Sequence, residues 1–189
     1  YRPFVVFPVV TEANAELRNE RLEGVEAGFD FSPGQTFSLS ATVFDNRLKN
    51  AIANVTLAPA LRQRQNVDAI RARGAEIEAR AKLGAFSFDA SLTLADSEVR
   101  ASGVSAGLNG LRPSHVPKLA ASATLGWRPA PGWLLAVTVR HTGREFEDDL
   151  ETDVLPAATT LGAFAEAPVS ARLAVILRGE NLTGETIVT

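Results

Sequence analysis

Three polar stretches carry the residues of this chain with the clearest capacity for binding chemistry. Arg62 and Arg64 stand two apart in the first, and Arg112 and His115 share the second. The third is the densest charge cluster, Arg144-Glu145-Phe146-Glu147-Asp148-Asp149-Leu150-Glu151-Thr152-Asp153. Guanidinium forks match carboxylate and phosphate groups, so Arg62, Arg64, Arg112 with His115, and Arg144 are candidates to meet an anionic ligand, with ordinary loop solvation as the alternative. Asp148 and Asp149 complete the ligand-facing candidates. The acidic run has enough carboxylate oxygens for a hard cation such as calcium, but its spacing matches no EF-hand loop. It reads as a solvated loop, with divalent bridging to an anionic surface as a second reading, and no metal site is assigned. His115 and His141 are the only histidines, cysteine is absent, and no Gly-x-Ser-x-Gly, Walker or His-Glu-x-x-His motif occurs. The expectation is a protein that is not an enzyme and takes no cofactor.

Composition narrows the setting. The chain has 189 residues, 46% of them hydrophobic and 22% charged, with a formal net charge of -3. That fits one large domain or a piece of a bigger one, without a nucleic-acid signature. The longest compact apolar runs, Phe4 to Val10 and Trp133 to Val139, are far too short to cross a bilayer as helices. The sequence opens at Tyr1, lacks Met and shows no signal-peptide pattern, which suggests a fragment of a longer reading frame.

The elements that must position the polar stretches show a period of two. Val25, Ala27, Phe29 and Phe31 alternate with Gly24, Glu26, Gly28 and Asp30; after a turn at Ser32-Pro33-Gly34-Gln35, Phe37, Leu39, Ala41 and Val43 alternate with Ser38, Ser40 and Thr42. A second pair sets Ala75, Ile77, Ala79 and Ala81 against Glu76, Glu78, Arg80 and Lys82, then Phe86, Phe88, Ala90, Leu92 and Leu94 against Ser87, Asp89, Ser91 and Thr93. A third runs from Lys118 to Trp127 and from Trp133 to Arg140 around Pro129-Ala130-Pro131-Gly132. The fourth is weak over Thr160 to Glu166, where Phe164 breaks the alternation, and clear from Ala171 to Glu180.

Helix propensity competes in two places. Glu76/Arg80 and Glu78/Lys82 lie at i,i+4, yet charge on every second residue would circle a helix, so Arg71 to Lys82 is assigned as strand. A helical turn within Ala13 to Leu22 stays open.

Short turns near 33, 84, 131 and 167 alternate with long polar segments at about 45–69, 95–115 and 142–157. This predicts an all-β, antiparallel up-and-down meander of about eight strands, part of a transmembrane β-barrel with short periplasmic turns and long extracellular loops. Lipid offers no hydrogen-bond partner, so the apolar side faces outward and the polar side a wet lumen. Glu26, Asp30, Glu76, Glu78, Arg80 and Arg178 are then a lumenal charge network. Trp127 and Trp133 would mark the short-turn interface.

Several segments resemble the C-terminal part of the barrel of TonB-dependent outer-membrane receptors: YRPF, NAELRNERLEGVEAGFDF, FDNRLKNAI, RARGAEIEA and GENLTGETIV. Within them, Asn14, Leu17, Glu20, Glu23 and Glu26 lead to Gly28 and Asp30, Gly74, Glu76 and Glu78 match a Gly-x-Glu-x-Glu strand, and Asn181-Leu182 resembles the pair before the last loop and strand. Asn19 stands where the family usually has proline. The resemblance implies about eight of roughly 22 strands. Residues 1–23 would be extracellular loop and strand lead-in, 24–182 the strands, and 183–189 the start of the last loop, with plug domain and final strand not included. It implies an outer-membrane location in a Gram-negative bacterium, contact with outer-membrane lipid, coupling to the TonB complex through the missing plug, and import of a small ligand such as a metal chelate, a siderophore or cobalamin. Two alternatives are a soluble β-sandwich binding module and a passive porin-like channel.

Overall fold

The computed structural model describes residues 4–6 and 9–188. Residues 1–3 of the YRPF motif, residues 7–8 of the first apolar run, and the closing Thr189 lie outside the described residues.

In chain order the strands are β1 (Phe4–Val6), β2 (Val9–Glu12), β3 (Arg21–Phe31), β4 (Phe37–Lys49), β5 (Ile52–Ala58), β6 (Leu61–Asn66), β7 (Ala69–Leu83) and β8 (Phe86–Arg100). They continue, after a 3-10 turn at Gly103–Leu108, as β9 (Leu119–Trp127), β10 (Leu134–Thr142), β11 (Glu145–Phe146), β12 (Val154–Leu155), β13 (Ala158–Ser170) and β14 (Leu173–Gly179). Eight of these form one antiparallel meander in the order β14-β13-β10-β9-β8-β7-β4-β3, as the alternation predicts. No helix is long and apolar enough to cross a membrane among the described residues.

Register turns the one-dimensional pattern into two faces. Phe29, Ala41, Ile77, Leu92 and Ala121 lie in one row, and Ala27, Val43, Ala75, Leu94 and Leu119 in the next. Large apolar side chains on this face remain open: Val25 is 75% exposed and Leu177 68%. Trp127 and Trp133 are exposed as well, and Trp127 stacks on Phe86 with ring centroids 6.1 Å apart. A soluble sandwich would cover this face with a second sheet and bury both indoles. Among the described residues nothing does.

The polarity of the two faces then reverses toward the long-loop end. Beyond Val43 and Leu94, the apolar face continues as a row of Val25, Asp45, Arg73 and Asp96, a row of Glu23, Arg47, Arg71 and Glu98, and a row of Arg21, Lys49, Ala69 and Arg100. On the opposite face the polar residues give way to Leu48, Ile70 and Val99 in one row. These join Ala51, Val55, Val67, Ala101 and Leu108 in a small core beneath the loops. Strands that extend past an apolar layer into water would show this exchange, because the outer face becomes wet while the inner face is roofed by loops.

Three expectations need correction. The first polar segment is shorter than 45–69, because β4 runs to Lys49 and β7 starts at Ala69; it contains the β5–β6 hairpin, and β2 pairs with β6 in parallel to build a four-stranded loop sheet. The second likewise starts later, since β8 reaches Arg100. The turn placed near 167 lies at residues 171–172: β13 passes through Pro168 by means of an irregularity between Pro168 and Ser170, where a residue without an N–H is tolerated. The helical option for Ala13 to Leu22 is not realised; β3 begins at Arg21 and the residues before it are irregular. The β7–β8 hairpin closes through Gly84-Ala85, with Gly84 at φ 57°, the sign such two-residue turns require at their first central position.

Candidate functional site

The candidate site is the loop cluster at the long-loop end, where β5 and β6 approach the segments that follow β8 and β10. Arg62 and Arg64 project from alternate positions of β6, opposite Thr56 and Asn54 of β5. Thr56 Oγ1 donates to the Asp149 carboxylate at 3.4 and 3.5 Å, which ties the hairpin to the acidic run 93 residues away. Arg112 lies over the Phe146 ring at 4.6 Å, and Arg144 approaches the same ring at 5.7 Å. Arg112 also faces Glu151, whose Oε1 accepts from the Arg112 backbone N–H at 2.7 Å and lies 3.7 Å from its Nε. Phe146 is buried, and both guanidinium groups lie within cation–π range of its ring.

Arg64, Arg112 and Asp149 line one cavity of about 260 Å³ with Asn54 and Ser114, and its apolar part is built by Ile70, Val99 and Leu108. Two cations and a carboxylate above an apolar floor can hold a small amphiphilic anion, with the guanidinium forks supplying directed hydrogen bonds. His115 belongs elsewhere. Its Nε2 is 3.4 Å from Glu147, and it lines a separate cavity of about 310 Å³ with Arg140. Arg62 acts on the carboxylates of Asp148 and Asp149 rather than lining the first cavity. Phe146, Thr56 and Arg140 were not singled out from the sequence, although Phe146 is the lone aromatic within the charged run.

Asp148 and Asp149 have opposite electrostatic situations. Burial pushes the Asp149 carboxyl above its ordinary value of 3.8, with Arg62 and Thr56 restraining the rise. For Asp148 burial also opposes ionisation, but hydrogen bonds from the Thr152 hydroxyl and the Asp153 and Thr152 amides hold the carboxyl below that value. The amide of Thr152 donates to Asp148 Oδ1 at 2.8 Å and that of Asp153 at 3.2 Å, so this side chain is a loop staple. Among the described residues no group of three or more carboxylate, His or Cys side chains is placed to hold a metal ion.

The signs follow directly. Asp148 stabilises the loop fully above the ordinary carboxyl range and stops doing so as pH falls through its depressed folded value. Asp149 penalises the loop while ionised, and the penalty is relieved as pH falls through its elevated value. Hydrogen-exchange protection of the Thr152 and Asp153 amides, corrected for intrinsic rate, should therefore rise on mild acidification and collapse at lower pH. Asp148→Ala should lower that protection at neutral pH by about 1–3 kcal/mol of opening free energy. Asp149→Asn should abolish the initial rise.

The lumenal candidates fall into separate groups. Arg80 lies between Glu78 at 3.2 Å and Asp89 at 3.7 Å. Asp30 accepts from Ser40 Oγ at 2.5 Å in the same row as Glu78, while Glu26 and Glu76 stand opposite Phe44 and Thr42. Arg178 is on β14, paired with Glu180 at 2.5 Å and several strands from Arg80. One wall does not join all six.

Comparison with known proteins agrees with this geometry. The family model described as TonB dependent receptor-like, beta-barrel matches residues 4–182. No curated protein matches the sequence. Among solved structures, the ferric yersiniabactin uptake receptor FyuA from Yersinia pestis is 18% identical, with a TM-score of 0.73 over 87% of this chain and 25% of that one. The copper transporter OprC is 16% identical, with a TM-score of 0.75 over 92% and 27%. The siderophore receptor PiuA from Acinetobacter baumannii is 19% identical, with a TM-score of 0.67 over 87% and 24%. The chain spans about a quarter of the length of these structures.

Proposed function

The chain belongs to the TonB-dependent receptor β-barrel family, and from that premise we propose that it is part of the wall and mouth of an outer-membrane receptor that imports a scarce small ligand, of the metal-chelate or cobalamin kind, with energy from TonB. The observation that carries the reading is the exposed apolar face running in register across eight strands and bounded at one end by Phe86 and Trp127. Lipid is the solvent that makes such a face stable, and only a closed barrel satisfies every strand edge within it. The opposite face then lines a lumen, where Glu78, Arg80 and Asp89 supply a paired polar wall.

On this reading the Arg64, Arg112 and Asp149 cavity faces the external medium, and it serves as one side of the ligand's first docking point. The two arginines receive the anionic oxygens of the ligand, Asn54 and Ser114 add hydrogen bonds, and the apolar floor contacts its less polar portion. The remaining candidates act around it: Arg62 balances the acidic run, Arg144 shares the Phe146 plate, and His115 borders the neighbouring cavity. The acidic lumenal residues Glu26, Asp30, Glu76 and Glu78 would meet the plug that the family places inside the barrel.

The test is growth of a Gram-negative host without its own ferric-siderophore receptors, expressing the intact protein, on a panel of ferric siderophores and cobalamin. The expected result is energy-dependent use of at least one compound. Arg64→Ala with Arg112→Ala should weaken binding of that compound by about tenfold to a thousandfold, as expected for losing two charge-assisted contacts, without loss of the folded protein. Ion conductance in planar bilayers with no TonB dependence would favour the passive channel instead.

A further inference from the structure

Two features stand outside the function above: Phe164, the aromatic that breaks the alternation of β13, and Arg178, several strands away from the other lumenal candidates. Register brings them together, because Phe164 pairs directly with Arg178 on the face that also carries Thr138 and Arg140 of β10. Gly162 stands opposite Thr138 and presents no side chain, which leaves a recess of about 240 Å³ bordered by Thr124, Thr138, Arg140, Phe164 and Arg178. The hydroxyls of Thr124 and Thr138 bond to each other at 2.9 Å, so one of the two protons remains for a further acceptor.

Arg80, Arg140 and Arg178 differ in their surroundings on this face. Arg80 is paired with Glu78 and Asp89, and Arg178 with Glu180. Arg140 is exposed and has no ion pair or side-chain hydrogen bond among the described residues. Glu180 offsets Arg178, which leaves Arg140 as the net positive charge of the recess. Along β10 the polar-face positions run Thr142, Arg140, Thr138 and Ala136, each step moving roughly 7 Å away from the long-loop end. Arg140 borders both the His115 cavity above and the Gly162 recess below. His115 in turn follows Ser114, which borders the cavity of Arg64 and Arg112. Three cation-bearing recesses therefore follow one another from the loops down the wall.

We infer that the recess over Gly162 is a second binding station on the lumenal wall, for a carboxylate or similar oxyanion group attached to a flat apolar body, and that Arg140 passes this group down from the mouth. The inference rests on the lumenal orientation of the polar face and on the anionic ligand proposed above. Arg140 and Arg178 offer guanidinium donors to the oxyanion, the threonine pair adds a hydroxyl, and the half-buried Phe164 ring meets the flat body.

The experiment uses the intact protein in dodecyl maltoside with a single cysteine in place of Thr160, directly opposite Arg140, or of Ser91, directly opposite Glu78. Anionic and cationic thiosulfonates of matched size, each scaled to its rate with a free thiol, read the local potential. The anionic reagent should be favoured about fivefold to thirtyfold at 160 and disfavoured at 91; Arg140→Gln should remove the preference at 160, and Arg140→Lys should keep it. Benzene-1,2,4-tricarboxylate is the ligand probe, its occupancy measured at fixed ionic strength as protection of the thiol at 160 from a neutral reagent. Arg140→Gln should raise the half-protecting concentration about tenfold or more, and Phe164→Leu about threefold to tenfold. A missing preference for the anionic reagent, or protection unchanged by either substitution, would overturn the inference. So would a thiol at 160 that none of the three reagents reaches, which would give the recess to the plug. Growth on the panel above tests the importer separately: growth without protection removes the recess alone, and protection without growth removes the importer alone.

Discussion

Ile77→Arg is expected to cost about 2–4 kcal/mol of folding free energy in a bilayer and to remove most of the assembled protein. Ile77 sits near the middle of the apolar belt, in the row of Phe29, Ala41, Leu92 and Ala121. A guanidinium there has no acceptor nearby, and the charged rows lie two rows farther along the strand. The matched control is Ser40→Arg, one residue off on the opposite face, where Asp30 and Glu78 occupy the same row. That arginine meets two carboxylates on a wet surface, so the change should stay within about 1 kcal/mol. Urea titration of the intact protein in phospholipid vesicles measures both. Equal effects of the two substitutions would mean that the sheet does not have one lipid face and one wet face.

Gly74→Val should be comparably severe for a different reason. Gly74 lies between Phe44 on β4 and Ala95 on β8. A Cβ at this position would collide with the Leu94 carbonyl oxygen and come within 2.5 Å of Phe44 Cζ. The ring can turn aside, but the carbonyl belongs to the β7–β8 ladder and cannot move without loosening it. Overpacking of this kind costs about 1–3 kcal/mol in cores that can relax, and the rigid ladder places Gly74→Val at or above the top of that range. Gly107→Ala provides the contrast, because a Cβ there meets nothing within 4 Å. The folded fraction by heat-modifiable electrophoresis should drop sharply for Gly74→Val and stay near wild type for Gly107→Ala.

The meander was legible in the sequence because a barrel strand must place every second side chain in lipid, and that demand leaves a period of two even where individual residues are small. The ends of the strands were not legible, for the same physical reason seen from the other side. Past Val43 and Leu94 the apolar side chains pass to the alternate parity, as Leu48, Ile70 and Val99, while Asp45, Arg47, Arg73 and Glu98 take their former places. Read in one dimension, this looks like the loss of a strand. In register it is the point where the two faces of the sheet exchange polarity. The loop sheet was hidden because β2 and β6 pair across about 50 residues, a contact that no local pattern encodes.

The candidate site was legible in its parts and not in its grouping. Arginine content marked Arg64 and Arg112, but what joins them is Asp149 with its hydrogen bond from Thr56, together with the floor of Ile70 and Val99. Asp148 looked equivalent to Asp149 in sequence. Its amide partners at Thr152 and Asp153 make it a structural staple, a role set by loop geometry rather than residue type.

Which way each face of the sheet looks decides between a membrane barrel and a soluble sheet. The chain contains no cysteine, so single cysteines at 40, 41, 42, 43, 45 and 47 can carry a nitroxide in the intact protein reconstituted into vesicles. Collision with oxygen, which partitions into lipid, and with a water-soluble nickel chelate then reports the surroundings of each position. A lipid-facing belt gives oxygen-dominated positions at 41 and 43, chelate-dominated positions at 40 and 42, and an abrupt change to chelate access at 45 and 47 on the same face as 43. Chelate access at 41 and 43 equal to that at 40 and 42 would contradict the lipid-facing belt and, with it, the membrane receptor.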